Sequence, residues 1–548
     1  MNLHGNINIF INEKMIYCIL AFSLIIRILK LEEIPPGFYV DEVVFGYDAY
    51  SLITTGRDSD GNLLPIYFRH LGTYVDPIYV YSIIPLILLF GNTIFSVRFT
   101  SVLYGVMSIF TTYLFVKEAF NKKLALLTSL FLALSPWHFF FSRVGFQCIS
   151  FTFYFTLSLY FLLKSLQNKP RFLYLGFIIL GISIYTYFVS RLFIPLFILG
   201  FIFIYRKKLL YLDEFRKYLI WSFFIFFIII TPFIYNLVFN YEIIMSRFNH
   251  VSIFRNGYES MRIEFNLPEN FSRYLLVSLS FVENYISHIS PTFLFFEGDP
   301  NPRHSLREFG QLYLFQSLPI LFGIFVCIKE RREIHKLLIF WLAIYSIPAS
   351  LTYEGIPHAV RTITALPLFE IFTSIGLSYM FTAINKDKSF ALLLLINSIL
   401  LSYNVIKFFN HYFSIYSVYA YPYWNTKFNE VVIFLENVKN SYRNVFVEET
   451  CLSYPQYYIA YFLRIHPIEF QFNKKVEEVT RIDNYVIVKK IPESFCEQSP
   501  DSIYVTCANF VYSSSMFGKA LKIFLNPDES IGFIIFDCKS LVVSSSLA

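Results

Sequence analysis

Residues 15–31, MIYCILAFSLIIRILKL, and residues 35–42, PPGFYVDE, place two carboxylates shortly after an apolar run of membrane length. A run of about 17 to 25 apolar residues is the signature of a transmembrane helix. Asp41 and Glu42 are therefore expected close to a membrane face. One interpretation is that the pair caps a solvated helix, because carboxylates stabilise helix amino termini. The other is that the pair takes part in chemistry.

The rest of the chain continues this apolar pattern. Its 548 residues are 56% hydrophobic and 20% aromatic, and the mean hydropathy is +0.53. These values are too high for one soluble core, so we predict a mainly α-helical, polytopic membrane protein. With residues 15–31, eleven transmembrane helices are predicted, the other ten at residues 97–116, 124–142, 148–163, 172–190, 191–205, 218–238, 311–328, 337–352, 360–383 and 389–406.

Lysine positions indicate which side of the membrane each loop occupies. Between Leu31 and Ile406 the eleven-helix arrangement places all twelve lysines on one side and leaves arginines on the other. The lysine side is then cytoplasmic, together with the amino terminus. A twelfth apolar run, residues 77–95, would break this pattern as a span, so we predict an interfacial or re-entrant segment. Two outer loops, 32–96 and 239–310, are long enough to fold.

The outer arginines have two interpretations. Their planar donor forks suit the phosphate of an anionic lipid-linked ligand. Alternatively, they extend to the phosphates of membrane lipids. The set as a whole favours the first interpretation more than any single arginine does.

The composition changes after residue 410, which divides the chain into a membrane module, 1–410, and a soluble domain, 411–548. A helix at 424–440 and strands at 444–448, 485–489, 503–507, 520–525 and 533–537 predict an α/β domain. Eleven spans place this domain outside the cytoplasm. It contains four cysteines, which form disulfides or remain as buried thiols: Cys451, Cys496, Cys507 and Cys538.

The first outer loop combines acidic and basic side chains. Transfer of a sugar from a lipid phosphate requires a base for the acceptor and cations for the leaving phosphate. The loop supplies both types. The chain has no CxxC, HExxH, P-loop or GxSxG pattern, so metalloprotease, nucleotide-hydrolase and esterase functions have no support, and no nucleic-acid partner is expected.

Several further motifs lie on the predicted outer face in a defined order. They are GYDAYSL at 46–52, TGRD at 55–58, LP at 64–65, SPWH at 135–138, FSR at 141–143, YTY at 185–187, SRL at 190–192, GDPN at 298–301, RHS at 303–305 and PHA at 357–359 followed by Arg361. Together with PPGFYVDE, they resemble membrane glycosyltransferases of the GT-C fold. The resemblance is to the branch of protein mannosyltransferases and lipid A aminoarabinose transferases, families 39 and 83. It covers roughly residues 15–405, and residues 454–462 more weakly.

The resemblance implies a function at the outer face of the cell envelope. It implies inverting transfer of a hexose or pentose from a polyprenyl-phosphate donor to a lipid, glycan or protein acceptor. Asp41 would be the general base and Glu42 would support it. Donor-binding roles fall on Arg57, Arg69, His70, Asp76, Arg143, Gln147, Arg191, Arg303, His304, His358 and Arg361. Use of a divalent metal is left open.

Two departures from this branch support alternative functions. Relatives commonly carry Lys-Pro-Pro where this chain has Val75-Asp76-Pro77, and an acid where it has Gln147. A glutamine donates and accepts hydrogen bonds but carries no charge. Arg69 or His70 could replace the lysine. One alternative is a catalytically impaired relative that binds lipid-linked sugar, and another is a lipid-linked sugar transporter. A transporter predicts paired halves, which the sequence lacks.

Overall fold

The computed structural model describes residues 13–254, 256–268, 272–383, 388–475, 478–479, 481–489, 495–507 and 520–539. The chain forms two compact units. The first unit contains the chain up to Leu29, Thr73–Ile78 and Ser101–Tyr412. The second contains Lys30–Gly72, Tyr79–Thr100 and the chain from Phe413 onward.

The first unit is helical. Every apolar run predicted within it forms helix over at least part of its length. The described residues of the predicted outer loop at 239–310 form three α-helices and the short π-helix Thr292–Phe296. The run 124–142 is divided at Pro136, because proline lacks a backbone N–H and disfavours helical geometry in the residue before it. The helices are Met15–Ile28, Lys122–Leu134, Pro136–Phe141, Cys148–Ser165, Phe172–Ser183, Ser190–Ile204, Arg206–Leu209, Asp213–Phe239, Tyr241–Val251, Asn256–Glu264, Arg273–Ile289, Ser317–Glu330, Glu333–Ile344, Ile347–Ser350, Leu368–Ala383 and Lys388–Asn410.

Two more helices, Pro77–Phe90 and Ile94–Ala119, contribute residues to both units. The 14 residues of Pro77–Phe90 extend about 21 Å, which is shorter than the roughly 30 Å hydrocarbon core. This length suits the interfacial or re-entrant segment predicted for residues 77–95. The location of that segment in the membrane stays a prediction.

Four helices of the described residues are long and apolar enough to cross a membrane: Ile94–Ala119, Cys148–Ser165, Asp213–Phe239 and Ile363–Thr382. Shorter apolar helices are Met15–Ile28, Pro77–Phe90, Phe172–Ser183 and Ser190–Ile204. The helix Asp213–Phe239 exposes large apolar side chains such as Phe224 and Phe227, as expected for contact with lipid. The number of eleven spans stays a prediction.

The second unit contains a six-stranded sheet. In chain order the strands among the described residues are β1 (Phe68–His70), β2 (Thr73–Val75), β3 (Asn444–Glu448), β4 (Lys474–Lys475), β5 (Glu478–Val479), β6 (Arg481–Ile482), β7 (Tyr485–Val488), β8 (Ser502–Cys507), β9 (Ala520–Leu525) and β10 (Ile531–Asp537). The sheet order is β6-β7-β3-β8-β10-β9. Strand β3 runs parallel to β7 and β8, whereas β10 is antiparallel to β8 and β9. The prediction of a carboxyl-terminal α/β region is confirmed.

Helices accompany this sheet in the second unit. They are Val40–Thr55, Tyr416–Ala420, Phe428–Val438, Pro455–Phe462, Pro467–Asn473 and Phe495–Gln498. The predicted helix at 424–440 is thus present over a shorter range. Two disulfides cross-link this region, Cys451–Cys507 and Cys496–Cys538. Of the two alternatives for these cysteines, the structure contains the disulfides.

The first outer loop packs against the carboxyl-terminal region within the second unit. Tyr458 Oη donates to Phe38 O at 2.8 Å, and Tyr47 Oη donates to Ile465 O at 3.0 Å. These bonds join residues more than 400 positions apart in the chain. Residues that the sequence assigns to the membrane module therefore share a core with the carboxyl-terminal segment.

Candidate active site

Asp41 lies in the first turn of the helix Val40–Thr55. The helix begins after Tyr39, whose backbone N–H donates to Glu42 Oε2 at 2.9 Å. This bond is half of a capping box, which satisfies an amide that the helix itself leaves unpaired. The helix ends at Gly56, which has a φ of 71°. Glu42 therefore caps the helix, but it is buried and not solvated as the cap interpretation expects, while Asp41 has a different environment.

Glu42 forms a buried ion pair with Arg98. Arg98 Nε donates to Glu42 Oε1 at 2.9 Å, and Arg98 Nη2 donates to Oε2 at 3.0 Å. Both side chains are 0% exposed. Arg98 also donates to the carbonyls of Leu31 at 3.0 Å, Pro35 at 3.1 Å and Gly37. One guanidinium thus holds the segment that leads into the helix.

Asp41, by contrast, is accessible. Its side chain is 35% exposed, whereas that of His70 is 8% exposed. His70 Nε2 lies 3.0 Å from Asp41 Oδ1. The imidazole stacks on the Phe45 ring, with centroids 5.0 Å apart. Of the two adjacent carboxylates, Asp41 is the one that a substrate can reach.

Asp48 and Asp58 form a second acidic pair in the same unit. Asp48 Oδ1 accepts from Ser59 N at 3.0 Å, and Asp58 Oδ1 accepts from Asn62 N at 2.8 Å. Burial raises the pKa of Asp48 to about 8, and the charge of Asp58 adds to this rise. Burial also raises the pKa of Asp58. Asp48 therefore carries a proton at neutral pH.

The buried Asp48 predicts a pH-dependent stability. Its folded pKa lies above the unfolded value of about 3.9, so the folded protein binds the extra proton and loses stability as pH rises from about 4 to 8. Asp48→Asn removes this proton but retains an oxygen for the Ser59 N–H. We expect the melting temperature of the variant to fall less between pH 5 and pH 9 than that of the parent. The difference should correspond to a few kcal/mol, since one pKa unit corresponds to about 1.4 kcal/mol.

Thermal unfolding in detergent across this pH range measures the effect. Glu33→Gln is the matched control, because it removes an exposed carboxylate from the same predicted loop, 32–96. It should show the pH dependence of the parent. Equal pH dependence in Asp48→Asn and the parent would contradict the assignment.

Asp76 and Arg191 form a buried ion pair in the first unit. Arg191 Nη2 donates to Asp76 Oδ1 at 2.7 Å, and Nη1 donates to Ile244 O at 2.7 Å. Burial raises the pKa of Asp76, although the Arg191 guanidinium acts in the opposite direction. Asp76 follows Val75, the position where the resemblance expects a lysine. This carboxylate offsets the charge of Arg191.

Asp299, His304 and His358 converge in the first unit and could hold a metal ion. Asp299 Oδ2 lies 2.9 Å from His304 Nδ1 and 3.7 Å from His358 Nδ1, and it accepts from Ala359 N at 2.8 Å. One ligand atom from each residue lies within 4.8 Å of the others. Burial lowers the pKa of His358 well below its usual value, and the charge of Arg361 acts in the same direction. A neutral imidazole is the form that binds metal, so the set fits a divalent transition metal.

Two predicted arginines of the first unit contact the protein itself. Arg143 is buried and donates to Tyr412 Oη at 3.0 Å, Ile26 O at 3.1 Å and Arg27 O at 2.7 Å. Arg361 is also buried and donates to Thr352 Oγ1 at 2.8 Å and to Glu354 O at 2.7 Å. These hydrogen bonds hold buried segments of the first unit together. Donor binding by either arginine stays a prediction.

The remaining predicted residues are more accessible. Arg303 and Gln147 are half-buried in the first unit, and the Gln147 Oε1 atom is buried without a hydrogen-bond partner among the described residues. In the second unit Arg69 is half-buried, and Arg57 is exposed and donates to Gly61 O at 2.7 Å. Their roles also stay predictions.

Comparison with known proteins identifies the fold. Residues 76–235 match the family model of dolichyl-phosphate-mannose-protein mannosyltransferases. The structure is similar to apo oligosaccharyltransferase from Archaeoglobus fulgidus, with a TM-score of 0.53, 14% identity, and coverage of 90% of this chain and 70% of that chain. It is also similar to ArnT from Cupriavidus metallidurans bound to undecaprenyl phosphate, with a TM-score of 0.52, 12% identity, and coverage of 95% and 98%. The chain has the GT-C glycosyltransferase fold. No curated protein matches the sequence.

The predicted resemblance to GT-C glycosyltransferases is confirmed at the level of the fold. GT-C proteins are multi-pass membrane proteins, and the long apolar helices of this chain agree with that location.

Sequence analysis assigned no role to two of the residues described above, Arg98 in the second unit and Asp299 in the first. Arg98 lies one turn inside the helix Ile94–Ala119, and a charged residue at the end of an apolar run requires a partner. The position of Arg98 therefore indicated a buried partner, but the sequence did not show that this partner is Glu42. Asp299 lies five residues before His304, and this spacing of a carboxylate and an imidazole was the signal for a shared site.

Proposed function

We propose that this chain is an integral membrane glycosyltransferase. It transfers a sugar from a polyprenyl-phosphate donor to a hydroxyl or amine of a lipid, glycan or protein acceptor. The observation that carries the proposal is the environment of Asp41 in a GT-C fold. Its carboxylate is accessible, while Glu42 beside it is buried against Arg98.

The reaction is a single displacement. Asp41 accepts the proton of the acceptor hydroxyl or amine while its oxygen or nitrogen attacks the anomeric carbon. The bond from that carbon to the phosphate oxygen breaks, and the polyprenyl phosphate leaves with the electron pair. Attack opposite the leaving group inverts the anomeric configuration. A positioned general base contributes about 10²- to 10⁴-fold to such a step.

The cationic residues retain the donor-binding roles that the sequence predicts. Arg57 and Arg69 belong to the second unit, whereas Arg191, Arg303 and the other predicted arginines belong to the first. Guanidinium groups bind phosphate through paired, charge-assisted hydrogen bonds. If Arg191 binds the donor phosphate, part of its charge is already offset by Asp76.

The reaction is assigned to the extracytoplasmic face. The disulfides Cys451–Cys507 and Cys496–Cys538 support this side, because disulfides persist in oxidising compartments outside the cytoplasm. The one-sided lysines support a cytoplasmic amino terminus. Glu42, Asp41 and the disulfide-bonded region belong to the same compact unit, which supports the same side for all three.

Incubation of the purified protein with labelled polyprenyl phosphates that carry hexoses or pentoses tests the function. Release of polyprenyl phosphate together with a labelled acceptor is the expected result. Donor binding without turnover would favour the catalytically impaired relative, an alternative that rests on Val75 and Gln147. Translocation of intact donor across vesicles would favour the transporter.

The possible metal use is assigned to Asp299, His304 and His358. A bound divalent ion supplies Lewis-acid charge that stabilises an anionic ligand. We expect the purified protein to retain about one equivalent of a divalent transition metal, and Asp299→Ala combined with His304→Ala to lose it. Elemental analysis after removal of loosely bound metal measures the content.

His250→Ala is the matched control for metal content, since it removes an exposed imidazole from the same unit. It should retain the metal of the parent. Equal metal content in the double variant and the parent would overturn the assignment. The assignment would also be overturned if the parent contained no metal and remained active in the presence of chelator.

A further inference from the structure

We infer that His70 is a positioning residue for Asp41 and not a ligand of the donor phosphate. The inference rests on the proposed role of Asp41 as the base. It assigns to His70 a function that sequence analysis did not give it, since the sequence placed His70 among the donor-binding residues.

The hydrogen bond between the two side chains is the first observation. His70 Nε2 lies 3.0 Å from Asp41 Oδ1, and the other ring nitrogen, Nδ1, is buried. A neutral imidazole with its proton on Nε2 donates to Asp41 in this geometry. The bond restricts rotation of the carboxylate about the Asp41 side-chain dihedrals.

The burial of the imidazole is the second observation. The His70 side chain is 8% exposed, while the Asp41 side chain is 35% exposed. The Phe45 ring stacks on the imidazole at 5.0 Å with an interplanar angle of 28°. Phe45 is itself buried and meets the ring of Tyr79 edge-on at 5.8 Å. The imidazole is therefore held by packing, and the accessible member of the pair is the carboxylate.

The backbone and the side chain of Asp41 are held by different contacts. The backbone of its helical turn is fixed by Glu42, which pairs with Arg98 and caps the helix. The side chain is oriented by His70. Misplacement of a reacting group by about 1 Å can cost 10²-fold in rate, so a base gains from both contacts.

Positioning and phosphate binding predict different kinetics. Loss of a phosphate ligand weakens binding of the donor and raises its KM. Loss of a positioning contact lowers kcat and leaves the KM for the donor nearly unchanged. A packing role alone lowers the melting temperature without a selective effect on kcat.

The experiment compares variants of the full-length protein in detergent with a donor that the parent consumes. We expect His70→Ala to lower kcat by about 10- to 100-fold, with the donor KM within about twofold of the parent. His70→Gln should recover a large part of kcat, because its amide nitrogen can donate to Asp41. Phe45→Leu, which loosens the imidazole, should lower kcat less than His70→Ala, again at constant KM.

His466→Ala is the control, since it removes an exposed imidazole from the same unit. It should match the parent. A raised donor KM at parent kcat in His70→Ala, or parent kcat in both His70→Ala and Phe45→Leu, would overturn the inference. If Asp41→Asn itself retained parent kcat, the proposed role of Asp41 as the base would fail first, and the His70 variants would then be irrelevant to catalysis.

Discussion

Asp41→Asn is expected to lower sugar transfer by about 10²- to 10⁴-fold. Asparagine has nearly the shape of aspartate but cannot accept the acceptor's proton at neutral pH. Folding should be retained, because the Asp41 side chain is partly exposed and the adjacent Glu42–Arg98 pair is unchanged. Donor binding should also be retained, since the substitution removes a negative charge that an anionic donor would meet. The measurements are turnover of labelled donor and direct donor binding.

Asp60→Asn serves as the control for Asp41→Asn. It removes a carboxylate from the same loop, where Asp60 is half-buried. Transfer by this variant should match the parent. Parent-like transfer by Asp41→Asn would exclude Asp41 as the base, and loss of both folding and transfer would indicate a structural role instead.

Helices and strands of this GT-C fold were accessible from sequence because they depend on local patterns. The apolar run 148–163, for example, forms the helix Cys148–Ser165, and the predicted strand 444–448 is β3 without change. A proline within an apolar run can divide the predicted helix into two. The run 124–142 is two helices, because Pro136 begins a second helix and Ser135 before it is extended.

Long-range packing was not accessible in this way. Tyr458 binds Phe38 across 420 positions, and no periodicity of either segment encodes that contact. The same limit applies to the active site. The sequence singled out Asp41 and Glu42 as a pair, yet only the partner of each carboxylate distinguishes them. His70 is 29 positions from Asp41, and Arg98 is 56 positions from Glu42.

The motifs that carry the GT-C resemblance therefore combine two kinds of residue. Asp41 is accessible to substrate, as expected of a group that takes part in chemistry. Glu42 is enclosed by Arg98 and the backbone of the preceding segment, as expected of a group that maintains structure. The two adjacent acids thus have different roles. Substitution of Asp41 should reduce catalysis, whereas substitution of Glu42 should reduce stability.

Arg98→Ala is expected to destabilise the protein by about 3–5 kcal/mol, the cost of breaking a buried ion pair. The substitution leaves the Glu42 carboxylate buried without its cation. It also removes the donors to the carbonyls of Leu31, Pro35 and Gly37. Arg98→Lys should recover only part of the loss, because an ammonium lacks the planar fork that spans these acceptors. Yield of folded protein and melting temperature in detergent measure the effect.

Two comparisons separate the buried pair from charge in general. Lys427→Ala breaks the Lys427–Glu430 pair of the same unit, whose side chains are 34% and 49% exposed, and should cost less than about 1 kcal/mol. Arg98→Met combined with Glu42→Gln should be less destabilised than Arg98→Ala, because no unpaired charge remains buried. A parent-like melting temperature for Arg98→Ala would contradict the role of Arg98. If the double variant were instead the less stable of the two, the lost carbonyl contacts would outweigh the unpaired charge, and Arg98 would act chiefly on the backbone that precedes Asp41.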